Sequence, residues 1–202
     1  MPEEFFGDRL FTALERTDPA AGMLAVAAPG LPSVQFARSV VLIVQYNSYF
    51  TFGVDLTRRS DVAVANVLPE WADQVSSPPA LYIGGPVEPQ SVVGLGLTKN
   101  GVDIASRPRL TRLANRLVHL DLRGGPEEFI DDLDGARLFA GFAEWAPGQL
   151  EDEVDRGDWF ITPALPSDVI APGPADLWSD VMRRQSMPLP LFSTFPKDVV
   201  DN

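Results

Sequence analysis

The sequence predicts an α+β fold with a mixed, largely antiparallel sheet, and three observations lead to that class. Short apolar, β-branched runs bounded by glycine and proline recur along the 202 residues and indicate strands. Amphipathic segments with helical spacing lie among them without a regular strand–helix period, which disfavours a doubly wound parallel sheet. The length suggests one domain or at most two small ones, and no repeat or linker divides the chain.

The first part of the chain is predicted to contain one helix and four strands. Phe6, Leu10 and Leu14 recur at helical spacing, which predicts an N-terminal helix within residues 1–18. Residues 64–71 are predicted to be helical or loop-like. Short apolar runs predict strands at residues 23–28, 39–44, 50–56 and 80–83.

The next segment is predicted to form a hairpin followed by a helix. Asn100-Gly101 separates the apolar residues 92–97 and 102–105, and this dipeptide is typical of tight β-hairpins. Residues 108–117 have apolar side chains at i, i+3, i+4 and i+7, which predicts a helix with Pro108 in its first turn. These apolar positions are Leu110, Leu113, Ala114 and Leu117.

The last third is predicted to alternate strands and helices before an irregular end. Pro126 followed by two glutamates predicts a helix start, and Gly135 its end. We expect a single domain over residues 1–202 that ends in a proline-broken tail. The remaining predicted elements are strands at 118–122 and 136–142, helices at 149–156 and 175–185, and the tail at 187–202.

The composition excludes several kinds of chemistry. Sixteen basic and 28 acidic residues give a formal charge of −12, which disfavours nucleic acid or an anionic membrane as the main partner. Without cysteine there is no disulfide, thiolate metal site or cysteine nucleophile. His119 is the single histidine, which excludes a two-histidine metal site, and alternation along its strand favours a structural or surface role. We therefore predict no metal and no cofactor.

Sequence motifs of common enzymes are also missing. The chain has no P-loop, nucleophile elbow or paired-histidine zinc motif, and no catalytic residue is assigned. Gly94-Leu95-Gly96 begins like a dinucleotide fingerprint, but Lys99 stands at its third position, which favours a glycine-bent strand. No segment has the pattern of a signal peptide or a membrane span, and we expect a cytoplasmic protein.

Two segments are candidates for a ligand site. Gly84-Gly85-Pro86 follows a predicted strand, and its backbone amides could hold an anion, although a tight turn explains the glycines equally well. Residues 141–153, followed by Trp159, place aromatic side chains beside polar ones, as small-ligand sites do. Trp145, Gln149 and Trp159 are the candidates there, with core packing as the alternative.

Charge is unevenly distributed along the chain. Arg109, Arg112 and Arg116 would share the polar face of the predicted helix at 108–117, and residues 127–158 are rich in acids. A solvated face paired with the molecule's own acids is one interpretation. A face for an anionic partner, such as an acidic protein or a phosphate group, is the other.

The chain resembles the YqgE/AlgH family of bacterial proteins, in its actinobacterial branch. The resemblance covers roughly residues 20–185. It rests on Gly-Met-Leu-Ala-Val-Ala-Ala-Pro at 22–29, Phe-Ala-Arg-Ser-Val-Val at 36–41, Gly53-Val54, Gly-Gly-Pro-Val at 84–87, and the string from Gly141 through Gly148-Gln149-Leu150-Glu151 to Trp159.

This resemblance implies a compact α+β domain whose bent sheet forms a partial barrel. Members often carry a transcriptional-regulator label, and no established enzymatic activity comes with the family. The sequence departs from the family pattern at Tyr46, where a histidine is common, and at Thr57-Arg58-Arg59, where Asn-Arg-Pro is common. Glu144 likewise replaces a usual glycine. These positions leave open whether this chain has lost or altered a family role.

Two functions follow as hypotheses. The first is a non-enzymatic domain that binds a small molecule or a protein, with a regulatory effect left open, as is assembly into a homo-oligomer. Its predicted cleft is lined by Arg38, Gly84, Gly85, Pro86, Trp145, Gln149 and Trp159. The alternative is a hydrolase that uses carboxylates such as Glu151 and Glu153, although i and i+2 positions do not share a helix face. Direct DNA binding would need residues 108–117 as a recognition helix, and the acidic charge disfavours it.

Overall fold

The computed structural model describes residues 17–170 and 176–195, and these form one α+β domain built on a ten-stranded, curled half-barrel. Most of the predicted N-terminal helix therefore lies outside the described residues. The strands are β1 Met23–Ala27, β2 Val40–Tyr46, β3 Thr51–Asp55, β4 Arg59–Ala63, β5 Ala80–Ile83, β6 Val87–Thr98, β7 Leu110–Ala114, β8 Leu117–Leu120, β9 Leu133–Trp145 and β10 Trp159–Pro163. The helices in these ranges are α1 Gln149–Arg156, α2 Pro166–Ile170 and α3 Leu177–Arg183.

The sheet is mixed and largely antiparallel, as predicted. Its strands follow the order β10-β1-β2-β3-β9-β6-β8-β7, with antiparallel neighbours throughout this path. β5 joins β9 in parallel and carries β4 on its other edge. The sheet curls until Gly22, just before β1, lies against β7, where a Cβ on Gly22 would come within 2.1 Å of the Leu113 carbonyl oxygen.

Both faces of the first half of the sheet are buried, which explains why β2 begins with five consecutive buried residues. Alternate side chains of a strand point to opposite faces. Leu24 and Leu42 therefore pack with Trp178 of α3 on one face, while Val41 and Ile43 pack with Leu150 of α1 on the other. The second half of the sheet is covered by short turns that carry Trp71 and Phe129.

The predicted helix at 108–117 is wrong, because this segment forms β7 and β8. Leu110 and Leu113 are both buried, and they are three residues apart. Leu113 packs with Leu117 in one core cluster and Leu110 with Val118 and Leu120 in another, so the two leucines point to opposite faces of the sheet. Because both faces are covered here, buried residues three apart imitate helical spacing. A β-bulge lies between Arg112 and Ala114, and Asn115, at φ 43°, makes the turn to β8.

The hairpin predicted around Asn100-Gly101 is also wrong. Leu97 of β6 already pairs with Leu117 of β8 on one side and with Gly135 of β9 on the other. No edge of β6 is free there, so the chain after Gly101 forms a 3-10 turn at Ile104–Ser106 instead.

The helix predicted to run from Pro126 to Gly135 is reduced to one 3-10 turn at Pro126–Glu128, because β9 already begins at Leu133. The predictions omitted β4, β10 and α2. The remaining strands and the two helices α1 and α3 are confirmed, with boundaries shifted by a few residues. Residues 64–71 form two short 3-10 turns, as the helical or loop-like prediction allowed. The described part of the tail, at 187–195, contains a 3-10 turn at Leu189–Phe192.

No helix in residues 17–170 and 176–195 has the length and apolarity needed to cross a membrane.

The Gly84–Pro86 turn ends β5 where its backbone meets β9. The Gly84 amide donates to the Ala140 carbonyl at 2.8 Å, and the Gly84 carbonyl accepts from the Asp55 amide at 2.8 Å. A Cβ on Gly84 would lie 2.4 Å from the Gly141 carbonyl oxygen, and one on Gly85 2.1 Å from the Phe142 carbonyl carbon. The glycines are therefore required by close backbone approach.

We predict that Gly84→Ala lowers the free energy of unfolding by about 3 kcal/mol, because the added methyl group would meet backbone that cannot move aside. Gly30→Ala is the matched control. Gly30 has a φ of 79° but open space around its Cβ position, so only the conformational cost of about 1–2 kcal/mol applies. Denaturant titration measures both, and equal losses would contradict this reading of the turn.

Candidate functional site

Trp145, Gln149 and Trp159 meet around one carboxylate, that of Glu153. The indole nitrogens of both tryptophans donate to Glu153 Oε2 at 2.9 Å, and Gln149 Nε2 donates to Oε1 at 2.9 Å. Gln149 and Glu153 lie one turn apart on α1, which ends at Gly157 in the left-handed conformation. The tryptophan rings pack edge to face at 5.8 Å. The Glu153 carboxylate thus accepts the hydrogen bonds of the three side chains that the sequence analysis proposed as ligand-binding residues.

The neighbouring Glu151 is bound in a similar way. The Tyr46 hydroxyl donates to Glu151 Oε1 at 2.6 Å. This hydrogen bond, together with burial and the negative charges of Glu151 and Asp18, raises the pKa of Tyr46 to about 12. Both carboxylates of the hydrolase hypothesis therefore accept hydrogen bonds from the protein itself, which favours a structural role for them.

Arg38 lies elsewhere, in the turn that precedes β2. Its guanidinium stacks 4.3 Å from the ring centre of Trp178, which belongs to the core on the opposite face from Trp159. It donates to Asp176 and to the Phe195 carbonyl, and to Ser179 Oγ at 3.0 Å. Arg38 thereby fastens the C-terminal segment to the sheet. Its φ of 58° is uncommon for a residue with a side chain, and such strain is often found at functional positions.

The predicted cleft is thus divided among separate places. Trp145, Gln149 and Trp159 surround Glu153, the Gly84–Pro86 turn lies at the end of β5, and Arg38 lies under the C-terminal segment. The Gly84 amide is used within the sheet. Whether any of these residues binds a ligand stays a prediction.

A cleft of about 650 Å³ opens beside Arg38, between the chain that follows β3 and the C-terminal segment. Three arginines line it, together with several hydroxyl groups. Asp176, which is bound to Arg38, is the one carboxylate among its described lining residues. We call this the arginine cleft, and its charged and hydroxyl-bearing lining residues are Arg38, Arg58, Arg183, Asp176, Thr57, Ser179, Ser193 and Thr194.

The arginines of the cleft differ in how firmly they are held. The Arg38 side chain is only 15% exposed, whereas those of Arg58 and Arg183 are 34% and 56% exposed. Arg183 pairs with Asp180 on its own helix, and Arg58 Nε lies 3.4 Å from Asp55 Oδ2. Arg58 and Arg183 can therefore offer guanidinium nitrogens to an anion. Arg38 mainly forms one side of the cleft, because its own nitrogens are used by neighbouring residues.

Asp55 lies just behind the lining residues and is 1% exposed. The Ser39 hydroxyl donates to its Oδ2 at 2.6 Å, and the Thr57 hydroxyl and amide donate to Oδ1 at 2.6 and 2.9 Å. Burial raises the pKa of Asp55, and these hydrogen bonds and Arg58 oppose the rise without cancelling it.

Sequence reasoning missed Arg58, Arg183 and Asp55 as site residues. Thr57 and Arg58 entered the sequence analysis only as part of the string Thr57-Arg58-Arg59, which was compared with the Asn-Arg-Pro of the family pattern. No local motif could have found the cleft, because its two walls are more than 100 residues apart in the chain and meet only in the folded protein.

The basic residues of the supposed helix face are placed on and beside β7. Arg109 pairs with Glu128, and Arg116 with Asp134 at 2.7 Å. Arg112 donates to the Asn115 carbonyl. This geometry favours the interpretation in which the arginines pair with the molecule's own groups, and an anionic partner for this face stays a prediction.

His119 packs edge to face with Phe52 at 6.5 Å. Burial lowers its pKa, although the charge of Asp121 acts in the opposite direction. A mainly neutral ring at neutral pH suits this packing. Within residues 17–170 and 176–195, histidine, aspartate and glutamate side chains do not gather in groups of three that could hold a metal ion.

Comparisons with known proteins place the chain in a bacterial family. The sequence model described as AlgH-like matches residues 24–190. A UPF0301 protein of Corynebacterium efficiens is 62% identical over 199 residues, covering 98% of this chain and 99% of that protein. A UPF0301 protein of Mycobacterium tuberculosis is 42% identical over 201 residues, covering 100% of this chain and 98% of that protein.

Solved structures agree. A crystal structure of a Corynebacterium diphtheriae protein has 62% sequence identity and a TM-score of 0.91, covering 95% of this chain and all of that one. The solution structure of the AlgH protein from Pseudomonas aeruginosa has a TM-score of 0.63 at 22% identity, covering 90% of this chain and 97% of that one, and so shows the same fold. From the family match and these relatives, the chain belongs to the AlgH-like UPF0301 family.

Proposed function

We propose that this protein is a non-enzymatic binding domain that takes a small anion, or an anionic group of a larger molecule, in the arginine cleft. The observation that carries the proposal is the set of guanidinium groups in this cleft. Among the described residues, three arginines and one aspartate line it, on a chain whose formal charge is −12. Arg58 and Arg183 are partly exposed and each pairs with one carboxylate, so each keeps guanidinium donors that an anion can use.

The chemistry of the lining residues supports an oxyanion in particular. Arginine presents several N–H donors in a planar fork that matches carboxylate, sulfate and phosphate oxygens. The hydroxyls of Ser193 and Thr194 add donors from the opposite wall. The cleft volume of about 650 Å³ lies in the range of small-molecule sites.

The hydrolase hypothesis receives less support. Glu153 accepts three hydrogen bonds from Trp145, Gln149 and Trp159, and Glu151 accepts one from Tyr46. A general acid or base must instead be free to exchange a proton with a substrate. These contacts support a structural role that ties α1 to β9 and β10.

Sulfate is the simplest probe of the cleft. We predict that the protein binds sulfate and that Arg58→Gln and Arg183→Gln each weaken binding about tenfold, since each removes a charged hydrogen-bond donor. Isothermal titration calorimetry at constant ionic strength measures this. Arg112→Gln is the control, because Arg112 is an exposed arginine on β7, outside the cleft. Unchanged binding in both cleft variants would contradict the proposed site.

Arg38 should behave differently from the other two arginines. We predict that Arg38→Ala lowers the free energy of unfolding by about 2 kcal/mol, because it removes the cation–π contact and leaves hydrogen-bond partners of the C-terminal segment without a donor. Arg183→Ala is the control for stability, since an exposed pair contributes at most about 0.5 kcal/mol. Thermal and denaturant unfolding compare the two. If Arg38→Ala were as stable as Arg183→Ala, the fastening role would be excluded.

Glu153 provides a test that separates structure from binding. We predict that Glu153→Ala lowers the free energy of unfolding by about 2 kcal/mol, because two buried indole N–H groups lose their acceptor. Sulfate affinity should stay unchanged in the folded variant. Glu144→Ala, which changes an exposed residue next to Trp145 at the end of β9, should alter neither property. A loss of sulfate binding in Glu153→Ala alone would place the site at α1 instead.

A further inference from the structure

The arginine cleft has a titratable group directly behind it. Asp55 ends β3, is 1% exposed, and does not line the cleft itself. Its Oδ1 accepts from the hydroxyl and amide of Thr57, and its Oδ2 accepts from Ser39 at 2.6 Å. Oδ2 also lies 3.4 Å from Nε of Arg58, which does line the cleft. One carboxylate therefore touches two lining residues from behind.

We propose that Asp55 controls the affinity of the cleft for anions, holding Arg58 when it is ionised and releasing Arg58 to the anion when it is protonated. The inference rests on the proposed function, since it concerns regulation of the same site. Asp55 is a positioning residue in this scheme, and Arg58 is the residue that touches the anion.

Charge is the first reason. An ionised carboxylate 3.4 Å from the Arg58 guanidinium neutralises much of the attraction that Arg58 can exert on a ligand. It also repels an anion that approaches Arg58 from the cleft. Protonation of Asp55 removes both effects, so the local potential becomes more positive without any change in the arginines.

Hydrogen-bond direction is the second reason. While Asp55 is ionised, its Oδ2 accepts a hydrogen bond from Ser39 and forms an ion pair with Nε of Arg58. A proton on Oδ2 would be donated to the Ser39 oxygen at 2.6 Å, and the Ser39 hydroxyl is completely buried beside it. An oxygen that carries a proton is a poor acceptor for the Arg58 N–H. Arg58 would then be free to donate towards the cleft.

The surrounding charges decide which carboxylate responds to pH. Burial raises the pKa of Asp55 despite the opposing hydrogen bonds from Ser39 and Thr57 and the charge of Arg58. The other carboxylate, Asp176, is also penalised by burial. Bonds from Ser179 and the charge of Arg38 outweigh that penalty and lower its pKa. Acidification therefore protonates Asp55 before Asp176.

The test measures sulfate affinity as a function of pH, because sulfate keeps its double charge throughout the range used. Calorimetry at constant ionic strength compares the wild-type protein with Asp55→Asn between about pH 8 and about pH 4, a range that reaches down to the ordinary pKa of an aspartate. Wild-type affinity should rise roughly tenfold as the pH falls. Asp55→Asn, whose amide is neutral and can donate to Ser39, should bind sulfate at the higher pH as tightly as the wild type does at the lower pH. Its affinity should not vary with pH.

Ser39→Ala provides a second variant that keeps the carboxylate. It removes a hydrogen bond that lowers the pKa of Asp55, so the rise in affinity should begin at a higher pH than in the wild type. Circular dichroism confirms that each variant is folded, and Ser39→Ala decides the question if Asp55→Asn is not.

The outcomes separate the two proposals. Sulfate binding that is independent of pH in the wild type, or unshifted in Ser39→Ala, overturns the role of Asp55 and leaves the binding site standing. Weaker binding by folded Asp55→Asn at the higher pH also overturns it, because Asp55 would then support Arg58 rather than restrain it. Sulfate binding absent at every pH overturns the proposed function itself.

Discussion

The close approach of β5 to β9 at Gly84 is the constraint on which the rest of the structure depends. Backbone contacts this short leave no room for a side chain at position 84. The same close approach allows the backbone of Gly84 to form hydrogen bonds on both sides. Its amide joins Ala140 in β9, and its carbonyl accepts from the amide of Asp55 at the end of β3. One turn thus connects the two halves of the curled sheet and fixes the residue that stands behind the arginine cleft. Gly84 and Gly85, whose sequence resembles an anion-binding turn, therefore serve here to let the backbone of Gly84 hydrogen-bond within the sheet.

The two faces of the first half of the sheet use polar groups in contrasting ways. Around Glu153, donors from β9, β10 and α1 converge on one internal carboxylate, and the cluster is satisfied without a ligand. Around the arginine cleft, Arg58 and Arg183 are only partly occupied by their internal partners and remain partly exposed. Buried polar groups that are fully paired stabilise a fold, whereas partly paired charges beside a cavity are available for binding. The arginine cleft therefore has more polar groups available to a ligand than the cluster around Glu153 has.

Membership of the AlgH-like family explains the fold but leaves the ligand open. Thr57, which stands where the resemblance leads us to expect asparagine, and Arg58, which keeps the expected arginine, both contact Asp55 from the cleft side. The departure at Thr57 therefore lies beside a buried carboxylate and keeps a hydroxyl that donates to it.

The sequence by itself determined the class of the fold, most of its strands and the helix at 149–156, because apolar runs and chain breakers act locally. It also brought Trp145, Gln149 and Trp159 together, since they flank one short turn and helix. Only the tertiary structure decided that residues 108–117 form strands, because Leu110 and Leu113 are buried on opposite faces of the sheet and thereby imitate helical spacing. It alone assembled the arginine cleft, whose walls come from segments that are distant in sequence. The local sequence pattern indicates which face of a helix or strand is buried. Whether two segments that are distant in sequence come together depends instead on how the whole sheet curls.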